Sequence, residues 1–165
     1  MSSNDDQLLD VLLDSWDRAN VILVNLLRAI PPGGLAAKGA ADSPSVAQLF
    51  MHVHYVRLAF VSEDAPEFAR DVPAEEWRDE RDVDAIARML DESAIAVREA
   101  VMGRLRAGKP MDRHYDHPIL FIQHMIWHEG YHHGQIKLAL KGGGHALDNR
   151  SVGRGTWGVW MKKTS

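Results

Sequence analysis

The sequence predicts an all-α fold, a four-helix bundle with an irregular C-terminal tail, and three observations carry that prediction. Apolar residues recur in alternating steps of three and four over four long segments, no segment shows the period-two alternation of a strand, and proline or glycine clusters stand at the segment ends. The 165 residues suffice to bury a core within one domain. The expected organisation is a single domain over 1–165, with the bundle over about 5–142 and the tail over 143–165.

The first helix is expected to begin after Asn4-Asp5-Asp6, which can cap it, and its apolar stripe is Leu9, Leu12, Trp16, Ala19, Leu23, Leu26 and Ile30. Pro31-Pro32-Gly33-Gly34 stops it, because a proline disfavours helical geometry in the residue before it. Ser43-Pro44-Ser45 opens the second helix, with a serine cap and a proline tolerated in the first turn. Its stripe is Val46, Leu49, Val53, Val56 and Phe60; His52 lies at the stripe's edge, and His54 is about 200° further round. Only one of these two histidines can share an inward site.

From Glu63 to Arg81 the chain is acidic, contains Pro66 and Pro73 and has no sustained period. It reads as a long connection with room for one short turn of helix, of the kind that often borders a pocket. The third helix spans about Asp82 to Arg106, with Val83, Ile86, Leu90, Ala94, Val97, Val101 and Leu105 inward, and Gly108-Lys109-Pro110 ends it. His117-Pro118 starts the fourth, since proline fits the first helical position and the residue before it is extended; Gly142-Gly143-Gly144 closes it. The stripe read for this helix is Phe121, His124, His128, Tyr131, Gln135 and Leu138. Beyond it the tail, with Trp157 and Trp160 among glycines, is expected to pack back across the bundle or onto a second subunit.

Composition narrows the chemistry. With no cysteine in the chain, disulfides, thiolate metal sites and a cysteine nucleophile are excluded, leaving imidazole and carboxylate as the strong metal ligands. A net charge of −4 with interspersed signs offers no basic face to nucleic acid. The N-terminus lacks a signal peptide's basic start and apolar run, and no stretch approaches the roughly 20 apolar residues that span a bilayer. A cytoplasmic protein acting on a small molecule, without nucleic acid or membrane as partner, is expected.

Nine histidines are present, four of them between His124 and His133. His128-Glu129-Gly130-Tyr131-His132 places two imidazoles four residues apart, one helical turn above each other, where both can grip one ion. Inward-facing imidazoles are costly to bury unpartnered, and a metal satisfies several at once. His124 and His128 form a second such pair, so spacing alone leaves both pairs open, with His124 otherwise a residue of the pocket mouth. The pentapeptide also spells H-E-x-x-H, in which the glutamate of a zinc protease is general base. No glutamate follows Glu129, position 138 is Leu138 rather than a third ligand, and no strand is present to hold a peptide. Glu129, about 100° from His128, is read instead as a solvated carboxylate or one supporting a ligand. A di-iron carboxylate centre needs a Glu-x-x-His on each of two helices, and only Glu129 with His132 has that spacing. No catalytic acid or base emerges; Asp10, Asp14 and Asp17 fit a solvated helix face.

His128-Glu129-Gly130-Tyr131-His132-His133-Gly134-Gln135-Ile136 resembles the His-x3-His-Arg-Gly-Gln signature of the DinB (damage-inducible, YfiT-like) family of metal-binding four-helix bundles. Ser45-Val46-Ala47-Gln48-Leu49-Phe50-Met51-His52 is similar to that family's second-helix pattern, which leads through leucines to the first metal histidine. Position 133, where arginine is common, is His133 here. The resemblance implies a divalent transition metal (zinc, nickel or iron) on His52, His128 and His132, with His124, Gln135 and Glu129 as supporting or pocket residues. It also implies a homodimer. For activity it implies a metal-dependent transferase using a low-molecular-weight thiol as cosubstrate, with a metal-dependent hydrolase or a non-catalytic metal-binding, stress-response protein as alternatives.

Overall fold

The structure is a computed structural model that describes residues 3–161. Four long helices form the bundle: α1 Ser3–Arg28, α2 Val46–Asp64, α3 Val83–Arg106 and α4 Pro118–Gly142. Two short ones, α5 Asn149–Gly153 and α6 Trp157–Trp160, follow. No strand occurs among the described residues, where an isolated bridge joins Lys38 to Ser45. None of the described helices is long and apolar enough to cross a membrane.

The helix boundaries follow the punctuation in the sequence. Ser45 caps α2 in a reciprocal capping box, its side chain accepting from the Gln48 N–H while the Gln48 side chain accepts from the Ser45 N–H. Pro44 therefore precedes the cap instead of lying in the first turn. Asp82 caps α3 through its carboxylate to the N–H groups of Asp84 and Ala85. His117 is extended, as Pro118 after it requires, and its Nδ1 accepts from Ile119 N–H. α1 begins at Ser3, so Asn4-Asp5-Asp6 lie within its backbone helix and not ahead of it.

α3 packs against α1 and α2, and α4 closes the bundle against α2, α3 and α1. Two apolar clusters fill the interior, one around Leu26, Leu27, Phe50, Leu90 and Leu140 and one around Trp16, Val61, Val97, Phe121 and Met125. Between them lies a polar layer to which each helix contributes. Arg57 of α2 donates through Nη1 to Asn20 of α1 and to the Leu90 carbonyl of α3, and through Nε and Nη2 to both carboxylate oxygens of Glu129 of α4. Its guanidinium also lies 4.8 Å from the centre of the Trp16 ring.

Two expectations are overturned here. Phe121 is buried as expected, but the buried face of α4 runs through Ile122, Met125, Glu129, His132, Ile136 and Ala139, rotated about 100°, one residue, from the stripe read in the sequence. His124, Tyr131 and Leu138 face outward. The helix is apolar on opposite sides, and periodicity alone cannot say which side a bundle covers. The tail is not irregular throughout: α6 packs on α1, with Asn25 donating to the Gly155 carbonyl and Arg18 to that of Val159. It thus packs back across its own bundle.

The connection between α2 and α3 contains a single 3-10 turn, Pro66–Phe68, and is fastened at both ends. Phe68 lies so close over Gly103 of α3 that a β-carbon there would come within 2.0 Å of the ring. At its other end Gln48 donates to the Trp77 carbonyl and Ser45 to Asp79. Gly103→Ala is expected to displace Phe68 and cost about 1–3 kcal/mol, read as a lower urea midpoint with an unchanged slope.

Candidate metal centre

His52, near the middle of α2, faces His128 and His132 on α4, and one ring nitrogen from each of the three lies within 4.8 Å of the other two. The Nε2 atom of His128 is 3.3 Å from that of His52 and 3.0 Å from that of His132. Two imidazoles bound to one ion at metal–nitrogen distances of about 2.0–2.1 Å with angles of 90–110° would hold their nitrogens about 2.9–3.4 Å apart. The two separations from His128 match that span.

The outer nitrogens explain why the inner ones point at each other. His52 Nδ1 is 2.7 Å from Glu76 Oε1 and His132 Nδ1 is 2.7 Å from Gln135 Oε1. Carboxylate and amide oxygens only accept, so each Nδ1 is the protonated nitrogen and each neutral ring turns an Nε2 lone pair inward. Tyr131 fixes the Gln135 amide, its hydroxyl accepting from Gln135 Nε2 at 3.0 Å. His128 Nε2 can carry one proton and donate it to one neighbour, leaving the other lone pair facing it unmet. A single cation would satisfy all three nitrogens together.

Charge on the rings is disfavoured. Burial lowers the pKa of His52 and His132, against the opposing pull of Glu76 on the first and Gln135 on the second. His128 is pushed down to about 3, first by burial and then by repulsion from His132, His52, His124 and Arg57. Imidazoles that stay neutral are imidazoles ready to ligate. The donor set, three nitrogens without thiolate, suits zinc, nickel or iron alike.

The mouth of the site is built from aromatic rings. Trp77, from the α2–α3 connection, stacks on His52 with ring centres 4.1 Å apart and planes 4° from parallel. His124 lies outside the ligand group, its ring centre 6.4 Å from that of His128 and its Nδ1 2.7 Å from the Tyr115 hydroxyl. Burial, then the nearby Asp64, raises the Tyr115 hydroxyl to about 12.

The remaining residues singled out in the sequence fall elsewhere. His54 is buried against α3, its Nδ1 donating to the Met89 carbonyl. His133 lines a separate cleft of about 340 Å3 between α1, α4 and α6. Glu129 is not solvated: it is 2% exposed and both its oxygens are held by Arg57. A carboxylate so engaged cannot serve as a general base at the histidines, which removes the protease reading on physical grounds. Asp14 pairs with Arg18 and Asp17 with Arg98 on the surface.

Glu76, Trp77 and Arg57 went unread in the sequence. For Arg57 a signal existed, a cation one turn after Val53 on an apolar stripe; for the other two only the length of the connection hinted at a role. Because carboxylate and amide partners orient ligating imidazoles, Glu76→Ala and Gln135→Ala are each expected to weaken metal binding about 10–100-fold. Titration against a chromophoric chelator measures this.

The family model of the DinB family matches residues 1–154. No curated protein and no solved structure matches the chain. Since the match runs from α1 through α5 and includes every residue of the histidine cluster, the chain belongs to the DinB family.

Proposed function

We propose that this protein is a metal-dependent transferase that joins a low-molecular-weight thiol to an electrophilic small molecule, with the metal held by His52, His128 and His132. The observation that carries the reading is the inward convergence of three Nε2 atoms, with the outer nitrogens of His52 and His132 occupied by Glu76 and Gln135. A divalent transition metal with three protein ligands keeps a position for an exogenous group and lowers the pKa of a thiol or water bound there.

What the chain itself supplies is orientation and shelter. Glu76 and Gln135 fix the ligand rings, Trp77 walls one side of the mouth, and the Tyr115 hydroxyl holds His124 beside it. The chain has no cysteine, so a thiol nucleophile must come from a cosubstrate. Two observations favour thiol transfer over hydrolysis. Glu76 is held against His52, and Glu129 is locked by Arg57, so neither stands free to deprotonate water. A thiol, more acidic than water, needs no such base.

The test is to load the protein with zinc, nickel or iron in turn and incubate it with an activated electrophile and each of several small thiols. The expected result is a thioether product that forms only with metal and is lost in His128→Ala. Hydrolysis of the electrophile without thiol incorporation would move the assignment to a hydrolase. Absence of metal-dependent turnover with every thiol would overturn the transferase.

A further inference from the structure

A cleft opens on the far side of α4 from the metal centre. Ile126, Gly130, His133 and Lys137 line it from α4 in steps of four, three and four, about 150° round the helix from His128 and His132. α1 forms the opposite wall and α6 the rim, and the space between them measures about 340 Å3. That volume falls at the lower end of the roughly 300–1,000 Å3 in which proteins hold small molecules.

The floor of the cleft is bare backbone. Gly130 and Gly134 lie one turn apart in the interior of a long helix, where glycine is a poor helix former, and a β-carbon at either would meet nothing within 4 Å. Packing within the chain therefore does not demand a glycine at either position. With Ala19 on the α1 wall, the lack of side chains keeps the space open, and a flat group can approach the helix backbone closely.

The sides are apolar and aromatic. Ile22 and Leu23 contribute from α1, and Trp157 and Trp160 from α6. Both tryptophans stay well exposed, at 69% and 43%, although Arg18 and Asn25 bond the Val159 and Gly155 carbonyls to α1. The indoles are thus anchored at the rim with ring surface uncovered, ready to stack on another ring.

Charge selects one end of the ligand. Of the described lining residues, Glu129 and Lys137 carry charge. Arg57 holds both Glu129 oxygens, so that pair is neutral as a unit and the positive charge of Lys137 dominates the cleft. His133, one turn before Lys137, adds an imidazole edge for hydrogen bonding. A carboxylate complements that end, since hydrogen bonds between charged partners are the stronger ones.

We propose that this cleft is a second ligand site, for a planar aromatic carboxylate of one or two rings. The rings lie over Gly130 and Gly134 against the tryptophans, and the carboxylate meets His133 and Lys137. No residue is shared with the histidine cluster, so the site stands apart from the thiol-transfer reading.

Heteronuclear NMR of the zinc-loaded full chain, titrated with β-naphthoate, tests the proposal. Tryptophan indole N–H signals report on both places, Trp157 and Trp160 at the cleft and Trp77 stacked on His52. The Trp157 and Trp160 signals are expected to move along one saturating curve with a Kd below about 1 mM, and to follow the same curve in His128→Ala. Gly130→Leu, which fills the cleft, should weaken binding by at least about 10-fold with metal content unchanged. The uncharged β-naphthylmethanol should bind the wild type about 10-fold more weakly than the acid, a preference that Lys137→Met removes. Absence of saturable binding, shifts confined to Trp77, or a curve lost in His128→Ala would each overturn the proposal. So would a Gly130→Leu variant that binds undiminished, or a preference for the acid that is missing in the wild type or survives Lys137→Met.

Discussion

Replacing His52, His128 or His132 singly by alanine is expected to abolish stoichiometric metal, with affinity falling by more than about 100-fold in each case, beyond the range seen for groups that merely orient a ligand. Each side chain contributes one of three converging nitrogens, and a tridentate site that loses a donor keeps only two. The neighbouring histidines serve as internal controls. His54→Ala removes a buried ring bonded to the Met89 carbonyl and should cost about 1–3 kcal/mol of stability while leaving metal content unchanged. His133→Ala alters the cleft beside α6 and should also retain metal. Elemental analysis after dialysis reads the set, and full retention in His52→Ala would contradict the assignment.

The second large effect concerns folding. The Arg57 and Glu129 side chains are 1% and 3% exposed and meet through Nε to Oε1 at 2.6 Å and Nη2 to Oε2 at 2.8 Å. Removing either partner alone leaves an uncompensated buried charge, so Arg57→Met or Glu129→Leu should lose about 3–5 kcal/mol. That is a large share of the roughly 5–15 kcal/mol that holds a domain together. Arg57→Met with Glu129→Leu should cost much less than the sum of the singles, because desolvation and attraction are removed together. Urea denaturation of the four proteins forms a double-mutant cycle, and additive losses would show that the pair does not act as a unit.

The contrast between α3 and α4 shows what the sequence could and could not disclose. α3 has one apolar stripe and one polar side, and Asp82 at its cap and Arg106 at its end are where the pattern placed them. α4 has clear ends at Pro118 and Gly142 but two apolar sides, so its orientation depended on what packs against it. That histidines one turn apart could share a metal was legible by spacing, which left the pairs His124 with His128 and His128 with His132 both open. Choosing His132 over His124 required a family resemblance; geometrically the choice follows from Gln135 and Tyr131, which turn His132 inward, while Tyr115 holds His124 at the mouth. Glu76 and Trp77 reach His52 across a connection without period, fixed by tertiary contacts such as Phe68 on Gly103 and Gln48 on the Trp77 carbonyl. No local pattern encodes those contacts. Glu129 misled for a related reason: its partner Arg57 lies 72 positions earlier.

The central claim, a three-histidine metal centre between α2 and α4, is tested most directly by anomalous diffraction from crystals of the metal-loaded protein. One strong peak is expected within about 2.0–2.1 Å of the Nε2 atoms of His52, His128 and His132. A peak at His124 or His145 with none among these three nitrogens would contradict it.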